Sequence, residues 1–325
     1  MSLLRAFHTS RCSKMNGGSN HFGGFVTACT ISLLAGCSSI DPRPDLTVLA
    51  SDHVNLPTVQ DSGLLFVDVR LNGVGPYRLL VDTGTTGVVL CADTAKTSGL
   101  KPFEESHSAT PEEKVQVSVA RLERLDSGGL TLEGMSVEVM KVDDAALFRR
   151  AFGRFDGFMG FGAFRDVLLQ VDFPGSQVSV TRLEGQPKSL QGGLPYSPGS
   201  NLCPYVLIDF LGRMVPAMID TGSNFGIVVP DLGPDSSRVL YTEGDVSRGV
   251  AIGSTHLGSL RNAQIVGVLR SGPVSWSNPK VGLLKPGEKM GNIGAAALNT
   301  WTLVFDQQSR RIYFTGSSLS RSWPK

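Results

Sequence analysis

The sequence predicts a mostly β protein with two similar lobes that arose by internal duplication, and a few short helices. Three observations predict it. First, an apolar run ends in the same turn twice, as Val81-Asp82-Thr83-Gly84-Thr85 and as Ile219-Asp220-Thr221-Gly222-Ser223. Second, each turn is followed at similar distance by a glycine in an apolar setting, Gly160 after 78 residues and Gly294 after 74. Third, the 325 residues include 38 glycines and 41% apolar side chains, enough for two cores joined by many turns. By ordinary residue usage Asp-Thr-Gly-Ser/Thr occurs at a given position on the order of once in several tens of thousands, so two copies in one chain have a shared cause.

The chain divides in order. Residues 1–36 are expected to be a secretory leader, since Arg5, Arg11 and Lys14 precede an apolar segment from about Phe22 to Ala35 that is too short to span a bilayer. The segment ends in Leu34-Ala35-Gly36-Cys37-Ser38-Ser39, which resembles the lipobox of bacterial lipoproteins. That resemblance implies cleavage before Cys37, lipidation (palmitate) of Cys37, and a protein lipid-anchored in the cell envelope at the outer membrane or periplasmic face. An ordinary leader with a chance cysteine is the alternative, and Met15 is an alternative start. Cleavage there leaves 27 basic residues against 29 acidic ones, so the net charge changes from +1 to about −2. No field for gathering nucleic acid results.

Residues 37–61 carry prolines and acidic residues without a period, as expected of a tether, and the N-terminal lobe is expected over 62–184. Leu64–Leu71, a turn at 72–76 and Tyr77–Val81 form a hairpin that delivers Asp82 to the edge of a core. Val88–Cys91 reads as a strand, Ala92–Ser98 as a short helix closed by Gly99, and 104–114 as a polar stretch. Strands are expected over 115–125 and 130–140 around Ser127-Gly128-Gly129, then a helix over 143–152. A linker over 185–204, a C-terminal lobe over 205–316 and a tail over 317–325 complete the chain. The repeat keeps its register beyond the two glycines: Asp172 and Asp306 stand twelve residues later, and Thr181 and Thr315 nine after those.

Two carboxylates delivered by duplicated turns suit general acid and base catalysis by a pair. Brought within reach of one water, Asp82 and Asp220 resist double ionisation and hold a single proton between them. One then takes a proton from water while the other gives one to a carbonyl. Asp82-Thr83-Gly84-Thr85 and Asp220-Thr221-Gly222-Ser223 resemble the two active-site loops of pepsin-like and retropepsin-like aspartic proteases, whose dyad is the familiar case of such sharing. Phe158-Met159-Gly160 and Asn292-Ile293-Gly294 are similar to the hydrophobic motif that packs beside each catalytic loop in that family.

The resemblance implies a two-lobed acid-protease fold and an endopeptidase that cleaves a polypeptide substrate with an activated water and no cofactor or metal. Asp82 and Asp220 are then catalytic. Thr83 and Thr221 fix the loops to each other, Gly84 and Gly222 admit main-chain amides to the carboxylates, and Thr85 and Ser223 hydrogen-bond the outer carboxylate oxygens. Two lobes in one chain imply a monomer. A non-proteolytic, membrane-tethered peptide-binding lipoprotein that keeps the fold is the alternative.

The sequence departs from the family at the flap: residues 86–130 contain no Tyr, and the expected tip over 109–114 contains no Gly. His53, His107 and His256 have no metal-type spacing, and no Gly-x-Ser-x-Gly elbow occurs. Cys91 and Cys203 are open to two readings, a disulfide between the halves or two buried thiols.

Overall fold

A computed structural model describes residues 41–109, 114–183, 193–199, 201–231, 239–249, 258–284, 288–315 and 321–322. The leader and Cys37 lie outside the described residues. The described residues are mostly β, in three sheets of 9, 6 and 11 strands. Among the described residues three short α-helices occur, Ala92–Thr97, Val142–Phe152 and Ala295–Leu298.

The duplication is visible in strand pairing. In the first lobe the Asp82-bearing strand Val74–Asp82 lies parallel to Gly157–Gly160, which is antiparallel to Val88–Cys91, itself parallel to Leu130–Met140. In the second lobe Arg213–Asp220 lies parallel to Gly291–Gly294, which is antiparallel to Ile227–Val229, itself parallel to Lys280–Leu283. Each Asp-bearing strand arrives from a hairpin, with Leu64–Leu71 in one lobe and Pro204–Phe210 in the other. The first sheet closes on itself, because Lys114–Ser127 pairs with both Leu130–Met140 and Leu64–Leu71.

The six-stranded sheet joins the lobes. Its centre is the antiparallel pair Val167–Asp172 and Thr302–Asp306, the equivalent strands of the two repeats. The repeated acids end these strands: Asp172 Oδ1 accepts from the Gly175 N–H at 3.1 Å and the Thr302 hydroxyl at 2.7 Å, and Asp306 Oδ1 accepts from the N–H groups of Gln308 and Ser309 at 3.0 Å. Such turn-closing carboxylates are a local reason for their fixed place in the repeat.

Four expectations need correction. Residues 46–61 of the expected tether form strands Leu46–Leu49, His53–Asn55 and Thr58–Asp61, which pair with three different strands of the fold and bury Val54 and Leu56. Strands of three or four residues are too short to show a period. The polar stretch 104–114 begins in a strand, Pro102–Ala109, which forms a hairpin with Lys114–Ser127; its hydrogen bonds come from the partner backbone and need no apolar pattern. Within the expected linker, Leu194–Pro195 and Ser197–Pro198 pair with the sheets, and Asn201 and Cys203 are buried. In the expected tail, Arg321–Ser322 pairs with Trp276–Ser277.

Candidate active site

Each turn is shaped by a glycine that the neighbouring strand demands. Gly160 stands opposite Asp82 and Gly294 opposite Asp220. A Cβ on Gly160 would fall 2.1 Å from the Gly87 carbonyl oxygen, and one on Gly294 2.3 Å from that of Phe225. The turns are tied to these strands by matching bonds, from the Phe161 N–H to the Thr85 carbonyl at 2.8 Å and from the Ala295 N–H to the Ser223 carbonyl at 2.7 Å.

The structure brings the two turns face to face. The Thr83 N–H donates to Thr221 Oγ1 and the Thr221 N–H to Thr83 Oγ1, each at 3.1 Å. The Thr83 hydroxyl donates in turn to the Ile219 carbonyl at 2.6 Å, and the Thr221 hydroxyl to that of Val81 at 2.9 Å. The carboxyl groups of Asp82 and Asp220 consequently lie near enough for each to act on the other's charge. Gly84 and Gly222 make room for this: a Cβ on Gly84 would lie 2.8 Å from Asp220 Cγ, and one on Gly222 2.4 Å from Asp82 Cγ.

Both carboxyls are buried, Asp82 at 1% and Asp220 at 0% exposure. Asp82 Oδ1 accepts from the Gly84 N–H at 2.8 Å and Oδ2 from the Thr85 hydroxyl at 2.6 Å. Asp220 Oδ1 accepts from the N–H groups of Gly222 and Ser223 at 3.1 and 3.0 Å, and Oδ2 from Asn292 Nδ2 at 2.6 Å. Burial raises the affinity of both for a proton, and the Asp82 charge raises that of Asp220 further; the Thr85 and Asn292 donors oppose this.

The two lobes differ at the fourth turn position. Thr85 reaches Asp82 with its hydroxyl, whereas the Ser223 hydroxyl accepts from the Phe225 N–H at 3.4 Å and Asn292 serves Asp220 instead. The expectation of a Ser223 hydroxyl on the carboxylate is thus replaced by its backbone N–H. Asn292 was legible only as part of the hydrophobic motif; an amide amid that apolar run, where the first repeat has Phe158, is the signal that marks it.

The linker also contributes. The Asn201 carbonyl accepts from the Thr86 hydroxyl at 2.7 Å, and the Asn201 side chain accepts from the Cys203 N–H at 3.3 Å. Cys203 and Cys91 are both buried free thiols. Burial, with the nearby Asp82 and Asp220, pushes the Cys203 thiol well up, and burial pushes Cys91 up to about 12. Among the described residues no group of three His, Cys, Asp or Glu side chains is arranged to hold a metal ion.

No curated protein matches the chain. Among solved structures it is similar to basic 7S globulin from soybean, at 15% identity and a TM-score of 0.48, over 82% of this chain and 96% of that one. The segment 67–173, which contains Asp82 and Gly160, matches the family model described as aspartyl protease.

Proposed function

We propose that the protein is an aspartic endopeptidase in which Asp82 and Asp220 share one proton and one water. The observation that carries this reading is the reciprocal Thr83 and Thr221 contact, which ties the two Asp-bearing turns to each other. In the reaction the ionised carboxylate takes a proton from water as its oxygen attacks the scissile carbonyl carbon. The protonated carboxyl gives its proton to the carbonyl oxygen, forming a neutral gem-diol. The C–N bond then breaks: the leaving nitrogen receives a proton from the carboxyl that had taken it from water. The diol hydroxyl returns its proton to the other carboxyl as the new acid forms. The pair ends as it began, with one proton, and no covalent intermediate is needed. Burial strengthens each of these electrostatic contacts by excluding bulk water.

We place the enzyme on the cell envelope, held by a lipid on Cys37; the leader and the Leu34-Ala35-Gly36-Cys37 motif support this. Incorporation of radiolabelled palmitate that disappears in Cys37→Ala tests the anchor. The activity is tested by incubating the protein with an unfolded polypeptide between pH 3 and 7. Cleavage that pepstatin inhibits and Asp82→Asn abolishes is expected. Equal or absent cleavage in protein and variant overturns the assignment and favours a peptide-binding lipoprotein of the same fold.

A further inference from the structure

The two repeats place different side chains at one position beside the carboxyl pair. Gly157-Phe158-Met159-Gly160 and Gly291-Asn292-Ile293-Gly294 pair with their Asp-bearing strands in the same register, Phe158 opposite Leu80 and Asn292 opposite Met218. Phe158 is apolar packing, with ring centroids 4.9 Å from Phe155 and 5.1 Å from Phe148. Asn292 instead donates from Nδ2 to Asp220 Oδ2 at 2.6 Å. Its Oδ1 is buried and meets no hydrogen-bond partner among the described residues. A buried amide satisfied at one end only lowers stability relative to an apolar side chain. The position therefore keeps the amide for its donor end.

That donor distinguishes the two carboxyls. Asp82 Oδ2 meets a hydroxyl, Thr85, which can either give or accept a hydrogen bond as the proton on the pair moves. The donors that Asp220 receives from its own lobe are all N–H groups, from Gly222 and Ser223 on Oδ1 and from Asn292 on Oδ2, and an amide N–H cannot accept. One lone pair of Asp220 Oδ2 is thereby committed to a donor that cannot take a proton in return.

We propose that Asn292 is a positioning residue of the pair, which fixes the Asp220 carboxyl and stabilises the singly ionised form. This rests on reading Asp82 and Asp220 as a proton-sharing pair. The same contact draws Asp220 down against burial and the Asp82 charge. Asn292 thereby extends to lower pH the range in which one carboxylate is free to take a proton from water.

The test is a carboxyl titration that needs no turnover. Protein labelled with 13C at the aspartate carboxyls is titrated by NMR, with Asp82→Asn and Asp220→Asn used to assign the two signals. In Asn292→Leu the first ionisation of the pair moves up by about one pH unit, as expected for loss of a hydrogen bond to a charged group. The acid limb of kcat/KM moves with it, while Ile293→Val, a packing change next door, leaves both in place. Asn292→Val is the second variant if Asn292→Leu does not fold. An unchanged first ionisation in a folded variant overturns the role of Asn292. Absence of peptide cleavage in the unaltered protein counts against the peptidase reading alone, because the titration still decides the positioning.

Discussion

Thr83 and Thr221 each accept, at 3.1 Å through the side-chain oxygen, the backbone N–H of the other. Each hydroxyl also donates to a carbonyl in the opposite lobe, so either residue satisfies two buried backbone groups that it does not own. Thr83→Val leaves the Ile219 carbonyl and the Thr221 N–H unpaired and is expected to cost about 3 kcal/mol. Thr221→Val should behave alike, and the double variant should cost less than the sum, since the two share one network. Urea unfolding of the three variants measures this.

Asp82→Asn and Asp220→Asn are each expected to lower kcat by about 1,000-fold or more, with the double variant no worse than either single one. Stability moves the other way. Both carboxyls have raised proton affinity in the fold, so the native state loses stability as pH rises above the unfolded value near 4. The amide variants should therefore be at least as stable as the unaltered protein at pH 7.

Glu138 shows the same sign away from the pair. Its Oε2 is buried without a partner among the described residues, and burial raises it from 4.5 to about 7. The folded protein binds this proton more tightly than the unfolded chain, so stability is full below 4.5 and falls as pH rises to about 7. The loss is up to about 3 kcal/mol. Glu138→Gln should flatten that part of the pH profile in denaturant unfolding and raise stability at neutral pH.

The glycines separate packing from chemistry. Gly160→Ala drives a Cβ into the Gly87 carbonyl, backbone that cannot swing away, and is expected to cost about 3 kcal/mol or more. Gly222→Ala meets the Asp82 carboxyl itself, a side chain that is able to move. It should lower kcat by about 100-fold through displacement of Asp82, with a smaller loss of stability than Gly160→Ala.

Cys91 and Cys203 are expected to be unreactive towards a thiol reagent at pH 8 in the native protein and fully reactive in denaturant, because burial holds both thiols protonated. Added reductant should leave the Tm unchanged.

What the sequence by itself determined is the duplication and its chemistry-bearing residues. Apolar runs stopping at Asp-Thr-Gly, with a Gly recurring some 75 residues later, record local demands: a buried strand, a tight turn, and a neighbouring backbone too close for a Cβ. Local demands leave local signatures. The short strands Leu46–Leu49 and His53–Asn55 and the packed Asn201 left none, because partners distant in the chain supply their hydrogen bonds. Tertiary structure alone decided which groups serve each carboxyl. Asn292 reaches Asp220 from 72 residues away, while the Ser223 hydroxyl beside it turns elsewhere. Such a choice depends on how the paired strands orient their side chains, and no spacing along the chain encodes that.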